Sequence, residues 1–466
     1  MPSTNNFGGK QMAYNFIECN REQGYLLPPN LREWLSEGDL AWFIIDAVEQ
    51  MDLSKIYSKH RSDGWGRASY NPRMMINLLL YAYCLGERSS RKIERLCERD
   101  IGFKVITANE VPDHSSISRF RQSNEEDVEK IFIEVLRLCR ETGLLKVGIV
   151  ALDGTKIKGN TSLSSNRTIN HIEDEVKKIL KEAEIKDEEE DKLYGKEIRG
   201  DELPEGLRDR RSRLSRLKEC KERLDREAAE KEAKQKAKIE ARELEETETG
   251  KKKRGRKPRP PEEVINKEAK ANVTDPESRI MKTSAGYEQG YNAQAVVTEG
   301  QIIIAAEVTQ EGNDVRQLNP MLEKAKDNIE SAGSEARIKV GLADAGYWSE
   351  SNINESVPDA LELIIATKKD WKQKKAMKEQ PPPRGRIPDN LSERQLMERK
   401  TLTKRGRSLY KKRGYMVEGV FGQIKGARRI NQFLRRGLTA CKSEWKLICA
   451  SHNLLKLFNS GKVCLA

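Results

Sequence analysis

Three carboxylates, Asp153, Asp344 and Glu418, have the types and settings that phosphodiester chemistry needs. Asp153 follows the apolar run Val147-Gly148-Ile149-Val150-Ala151-Leu152. That run reads as a strand buried on both faces, ending on the turn Asp153-Gly154-Thr155. Asp344 closes a second apolar run, Ile338–Asp344, and Glu418 falls on a helix expected over Tyr415–Lys425. In an α/β sheet, side chains at the carboxyl ends of strands are where ligands and catalysis collect. If the two strands are neighbours their aspartates converge, and Glu418 adds a third oxygen ligand from the side. Two divalent ions about 3.5–4 Å apart clamp the attacking and leaving oxygens of an in-line displacement. Mg²⁺, with Mn²⁺ as its substitute, favours such hard oxygens. Lys156 and Lys158 follow Asp153 closely, and Lys425 lies two helical turns beyond Glu418, each placed to hold a phosphate. Each acid also has a structural reading, as turn former, helix cap or solvated side chain, and by physics alone Asp314 and Glu444 compare with them.

The elements that must position these residues are legible from periodicity. Helical spacing runs from Leu40 to Met51, and a second helix opens at Asn71-Pro72 and ends near Gly86. Others follow Ser89-Ser90, span Ser115–Arg121, and run from Glu125 to Arg140 before Gly143. Beyond the first strand, strands are expected at Tyr291–Thr298 and Gln301–Val308, joined by the hairpin Glu299-Gly300, then at Ile338–Asp344 and Leu361–Thr367. Asn313 or Asp314 would cap a helix carrying Leu318, Leu322 and Ala325. Lys368–Arg386, basic and proline-rich, reads as a loop, and Arg413 to Phe458 as helix interrupted near Gly437. Antiparallel neighbours followed by helix-connected strands describe an α/β fold with a mixed sheet covered by helices.

Between Asn170 and Lys270 the chain is dominated by Lys, Glu, Arg and Ala. Narrow apolar stripes (Ile172, Val176, Ile179, Ala183; Leu214, Leu217, Cys220, Leu224) suggest two long polar helices, an antiparallel pair, with Pro204 opening the second; disorder is the rival reading. Three units are therefore expected: a helical unit over 1–145; a unit carrying the three acids over 146–169 plus 285–466; and a charged helical insertion over 170–284.

The chain has 466 residues and a net charge of +12, a balance that favours a polyanionic partner. Its eight cysteines form no C-x-x-C pair and its four histidines lie far apart, which argues against a zinc finger or a disulfide framework. With no signal peptide and no long apolar run, a cytosolic protein is expected.

Four stretches carry a family resemblance: Ala151 to Lys156; Gly290 to Val296, leading to Val308-Thr309-Gln310; Ala343 to Tyr347; and Arg413 through Val417-Glu418-Gly419 to Lys425. Together with helical Arg73–Arg121 they resemble the DDE transposases of bacterial insertion sequences that have a helical N-terminal domain and an RNase H-like core. The resemblance covers most of the chain apart from the polar insertion. It implies strand hydrolysis at transposon ends, then transesterification into target DNA, with Asp153, Asp344 and Glu418 holding Mg²⁺ or Mn²⁺. It also implies double-stranded DNA as partner, a homodimer or larger synaptic complex, and a nucleoid-associated bacterial protein. In many relatives a Tyr, an Arg and a Lys flank the Glu at set spacings. Lys425 fits; Tyr410 and Arg413 fit each other, but Arg413 lies one residue too far from Glu418, which makes Tyr415 a competitor to Tyr410.

For DNA contact the sequence offers a helix-turn-helix, with Ser89–Arg99 supporting and Ser115–Arg121 recognising through Arg119 and Arg121. It also offers Lys251 to Pro260, whose Arg254-Gly255-Arg256 core resembles an AT-hook. The cluster Lys425 to Arg436, including Arg428 and Arg429, lies near Glu418. Two alternatives stay open: a DNA-binding protein without catalysis, and a nuclease of the same fold that cuts without joining.

Overall fold

The N-terminal helices form where apolar spacing and capping place them. The computed structural model describes residues 30–59, 69–179, 181, 205–250, 252, 255–264, 269–283, 286–354, 361–388 and 390–462. Helices span Leu40–Glu49, Pro72–Cys84, Ser90–Arg99, Ile101–Ile106, His114–Ser123 and Val128–Glu141. The Asn71 side chain accepts from the Arg73 N–H, and Pro72 fills the first turn, where a missing donor costs nothing. Gly143 ends the last of these at φ +68°, a left-handed conformation that suits glycine.

Among the described residues eight strands follow in chain order: β1 (Ile149–Lys158), β2 (Asn166–Thr168), β3 (Lys270–Asn272), β4 (Arg279–Thr283), β5 (Gly286–Thr298), β6 (Ile303–Thr309), β7 (Val340–Ala343) and β8 (Glu362–Ile365). β2 and β3 make a small ladder of their own; the other six form one mixed sheet in the order β4-β5-β1-β7-β8, with β6 also on β5. β5 is long enough to carry two partners on one edge, β4 along Gly286–Gly290 and β6 along Asn292–Val297. β1 pairs antiparallel with β5 and parallel with β7, and β7 parallel with β8.

Two expectations about these elements need correction. β1 does not end at Leu152 in a turn; it continues through Asp153 and Gly154 to Lys158, because β5 supplies antiparallel partners along that whole length. What ends near Asp153 is the pairing with β7, whose last partner is Ala151. Nor is Lys368–Arg386 all loop: Asp370–Glu379 is helical, with Gln373 and Met377 buried and Lys374 paired to Asp370 at 2.7 Å. The run of prolines, Pro381 to Pro383, begins only after this helix.

The last helix, Leu438–Asn459, is the keystone of the packing. Trp445, fully buried, donates from Nε1 to the Gln294 carbonyl at 3.0 Å, and the Asn453 side chain bonds both the N–H and C=O of Ile303. The helix packs on β6 and on helices Val128–Glu141 and Pro72–Cys84. One hydrophobic core therefore runs from Ala41 to Leu457.

The insertion contributes helix at residues 169–179 and a 45-residue helix, Glu205–Thr249. The pairs Glu175–Arg213 and Glu173–Lys221 show the two running antiparallel, over a small cluster of Ile172, Leu217, Cys220, Leu224 and Ala271. Ala183, Pro204 and Arg254 lie outside the described residues. The basic segment folds back on the long helix: Gln235 donates to the Arg259 carbonyl at 2.6 Å, and Arg242 to that of Arg256 at 3.0 Å. Six cysteines are buried and free; Cys19 and Cys464 lie outside the described residues. Among the described residues no helix is long and apolar enough to cross a membrane.

Candidate active site

Parallel pairing of β1 with β7 sets Asp153 and Asp344 side by side, just past where that pairing ends. Asp153 is two residues past Ala151, which pairs with Leu342, and Asp344 is two residues past Leu342. Asp344 leaves β7 as the cap of the 3₁₀ turn Ala345–Tyr347 and accepts from the Gly346 N–H at 2.9 Å. Asp153 accepts from the Gly154 N–H at 2.8 Å.

The cation between them is Arg413. Its guanidinium lies 3.0 Å from Asp153 Oδ2 and 3.7 Å from Asp344 Oδ2, with only 6% of the side chain exposed. Arg413 is thus the counter-cation of the two aspartates and not a surface contact for DNA phosphate, which corrects its expected role. Burial, with Asp344 and Asp314 nearby, pushes the Asp153 carboxyl up to about 7 against the pull of Arg413; burial also raises Asp344. One guanidinium serves more acids than it can neutralise.

Glu418 reaches this neighbourhood through an unusual turn. Helix Lys404–Arg413 passes directly into the π turn Gly414–Glu418. In an α-helix residues four apart stack; a π turn takes in one more, so residues five apart do. The extra residue between Arg413 and Glu418 is absorbed here. Glu418 Oε1 lies back over Gly414, 3.7 Å from where a Cβ would stand. The same turn separates the two tyrosines. Tyr410 is buried, its hydroxyl 3.4 Å from Asp370 Oδ1, whereas Tyr415 is half exposed and its carbonyl accepts from Gln301 at 2.7 Å. A second π turn, Gln423–Ala427, carries Lys425, whose Nζ donates to the Lys156 carbonyl at 2.8 Å.

Glu418, Arg413, Asp370, Lys374 and Tyr410 line a cavity of about 470 Å³. Asp153 and Asp344 offer the hard oxygens and uncompensated charge that suit a divalent ion. Among the described residues, however, no group of three His, Cys, Asp or Glu is placed to hold a metal ion. The two aspartates are brought together; Glu418 stands on the cavity beside them.

Other expected contacts are redistributed. Lys156 pairs with Asp314 at 3.6 Å, and Lys158 is exposed. Arg428 is tied internally, donating to Ser451 Oγ at 2.7 Å and to the Tyr83 and Ile448 carbonyls at 3.3 Å; Arg429 is exposed at φ +55°. Arg119 and Arg256 are exposed. Arg121 is buried and donates to the Arg88 carbonyl at 2.7 Å and to Ser90, so neither Arg121 nor Arg428 has a guanidinium to spare for DNA. A further helix, Ile101–Ile106, stands between the two helices of the expected helix-turn-helix. Glu444 is structural, buried against Arg88 at 2.5 Å. Asp314 is not a helix cap: its side chain makes no cap bond and turns to Asn292 and Gln294. No periodicity signals that turn.

Two expected results follow from this geometry. Arg121→Met should cost a few kcal/mol, since hydrogen bonds from a charged group contribute about 1.5–3 kcal/mol each. A melting curve reads the loss; normal melting with weakened DNA binding would return Arg121 to a recognition role. The second concerns pH. A carboxyl raised in the fold above its ordinary 3.8 gives stability that is full below that value and lost as pH climbs through the folded value, about 7 for Asp153. Metal-free protein should therefore melt lower at about pH 8 than at about pH 6, and Asp153→Asn should flatten that slope; a slope unchanged by the substitution would contradict the assignment.

Family models match two parts of the chain. A transposase domain, DUF772, matches residues 29–123, and a transposase DDE domain matches residues 373–458. The first takes in the N-terminal helices; the second takes in Arg413, both π turns, Glu418 and most of the last helix. No curated protein and no solved structure matches the chain.

Proposed function

Because its two transposase-domain matches place this chain among the DDE-type insertion-sequence transposases, we propose that it cleaves DNA strands at the ends of its element and joins them to target DNA, with Asp153, Asp344 and Glu418 as the catalytic acids. The observation that carries this reading is Arg413: it contacts both aspartates and stands one π turn before Glu418. The sheet order, with β6 and β5 antiparallel beside β1 and then β7 and β8 parallel to it, supports an RNase H-like core. Residues 146–169 and 285–466, joined by β4 from 279 on, form the catalytic unit, the rest of 170–284 the insertion and 1–145 a helical unit that shares its core.

Asp153 and Asp344 would hold Mg²⁺ or Mn²⁺, which supplies positive charge to the oxygens of the scissile phosphodiester. Arg413 keeps the aspartates from repelling one another and orients Asp153. Glu418, facing the cavity, is placed to meet the reacting strand and would join the two aspartates as the third oxygen ligand of the ion. Lys156 puts an ammonium group beside the acids, and Lys425 donates to the Lys156 carbonyl; burial lowers both. They would fix the phosphate backbone, with Lys158, Arg119, Arg256 and Arg429 contacting DNA farther out. Processing two ends together calls for a dimer or larger complex, in the cytoplasm at the nucleoid.

Purified protein should nick end-containing duplex only with Mg²⁺ or Mn²⁺ and yield joined products. Cutting without joining would indicate a nuclease; binding without cutting under any divalent metal would indicate a regulator.

A further inference from the structure

Asp314 stands beside the two aspartates, and nothing above gives it a part in the reaction. Its Oδ1 accepts from Asn292 Nδ2 at 2.6 Å and from Gln294 Nε2 at 2.7 Å, and lies 3.6 Å from Lys156 Nζ. Its Oδ2 faces the other way: a Cβ on Gly346 would lie 3.4 Å from it and 3.0 Å from Asp344 Oδ1. A Cβ on Gly154 would collide with Gln294 and stand 2.7 Å from Asp314 Oδ1. The close approach of Asp314 to Asp153 and Asp344 thus depends on two glycines.

The carboxylate also sets two amides. An ionised carboxylate only accepts, so Asn292 and Gln294 must both turn their NH₂ groups to it, and their carbonyl oxygens then point elsewhere. Gln294 Oε1 receives the Tyr347 hydroxyl. Asn292 Oδ1 receives nothing: its side chain is wholly buried, the oxygen has no hydrogen-bond partner, and it lies 2.9 Å from where a Cβ on Gly154, next to Asp153, would stand. A buried acceptor without a donor is costly, and the coordinated waters that a small divalent ion retains are strong donors.

We propose that Asp314 is a positioning residue of the catalytic site: it fixes Asn292, Gln294 and Lys156 around the Asp153–Asp344 pair, and with Asn292 Oδ1 it makes that pair a tighter seat for a hydrated divalent cation. The inference rests on the reading of Asp153 and Asp344 as cation ligands. Groups that orient metal ligands from outside typically account for about 10–100-fold in metal affinity.

Mn²⁺ binding to the full chain without DNA, followed by electron paramagnetic resonance, tests it. Asp314→Asn, which keeps an oxygen acceptor and loses the charge, should weaken binding about tenfold or more, with the metal-free melting temperature held. Asp314→Glu should restore most of the affinity, and decides the matter should the Asn variant fold poorly. Asp153→Asn should abolish binding. Parent-like affinity in Asp314→Asn alongside lost binding in Asp153→Asn would overturn the role of Asp314 alone, as would Asp314→Glu binding no better than Asp153→Asn. Parent-like affinity in Asp153→Asn would overturn the underlying reading.

Discussion

Asp153→Asn is expected to reduce end cleavage by more than the ~100-fold that loss of an outer partner of a metal ligand costs, in Mg²⁺ and in Mn²⁺ alike. The substitution keeps the shape of the side chain and the hydrogen bond from Gly154 and removes the charge. It should not unfold the protein. Burial, with Asp344 and Asp314 nearby, pushes the Asp153 carboxyl up to about 7, so a neutral amide suits the metal-free fold better than a carboxylate does at neutral pH. Lost cleavage with equal or higher melting temperature is therefore the expected pair of results. Lost cleavage with a collapsed fold would say that Asp153 serves packing, and retained cleavage would remove it from the chemistry.

Arg413→Met is expected to have the largest effect on stability, and that effect should depend on pH. Removing one partner of a buried ion pair costs about 3–5 kcal/mol, because the other charge is left uncompensated. Here the partner can escape by taking up a proton. In the parent, Asp153 is largely neutral well below its value of about 7, so little pairing is lost there. Above that value the parent keeps a charged pair and the variant keeps bare carboxylates. Without the guanidinium, Asp153 should rise further, and stability should fall away as pH climbs through the new value. Denaturant unfolding should show a larger loss at about pH 8 than at about pH 5, the difference being on the order of 1 kcal/mol for each carboxyl that takes up a proton over that range. Equal losses at both would mean that Arg413 acts through its packing alone.

Much of this arrangement can be read from the sequence because it follows from local periodicity. The helix at Pro72–Cys84 announces itself with Asn71-Pro72, and the parallel strands beneath Asp153 and Asp344 with short apolar runs. The length of β1 is not legible, since Asp153-Gly154-Thr155 has turn chemistry and only its antiparallel partner β5 holds it extended. The helix Asp370–Glu379 is hidden by its lysines, because its buried positions, Gln373 and Met377, are too few to mark a face. The extra residue between Arg413 and Glu418 looks like a fault in spacing until the π turn is seen. Whether that residue makes a bulge or rotates the helix depends on what each face packs against. The fates of Arg121 and Arg428 are likewise tertiary. Both look like DNA contacts in a basic segment, and both are spent on backbone carbonyls of distant elements. Asp314 is the most instructive case: it sits where a cap is wanted, and Asn292 and Gln294 from β5 claim its side chain instead.

We propose that Asp153, Asp344 and Glu418 act on one divalent centre, although among the described residues no group of three such side chains is placed to hold a metal ion. Anomalous scattering from Mn²⁺ in crystals of the protein bound to a DNA end tests it most directly. A peak is expected between the carboxylates of Asp153 and Asp344, with Arg413 displaced from between them and the Glu418 carboxylate drawn to within about 2.5 Å of a manganese ion. Manganese bound elsewhere, with Arg413 still bridging the two aspartates, would contradict it.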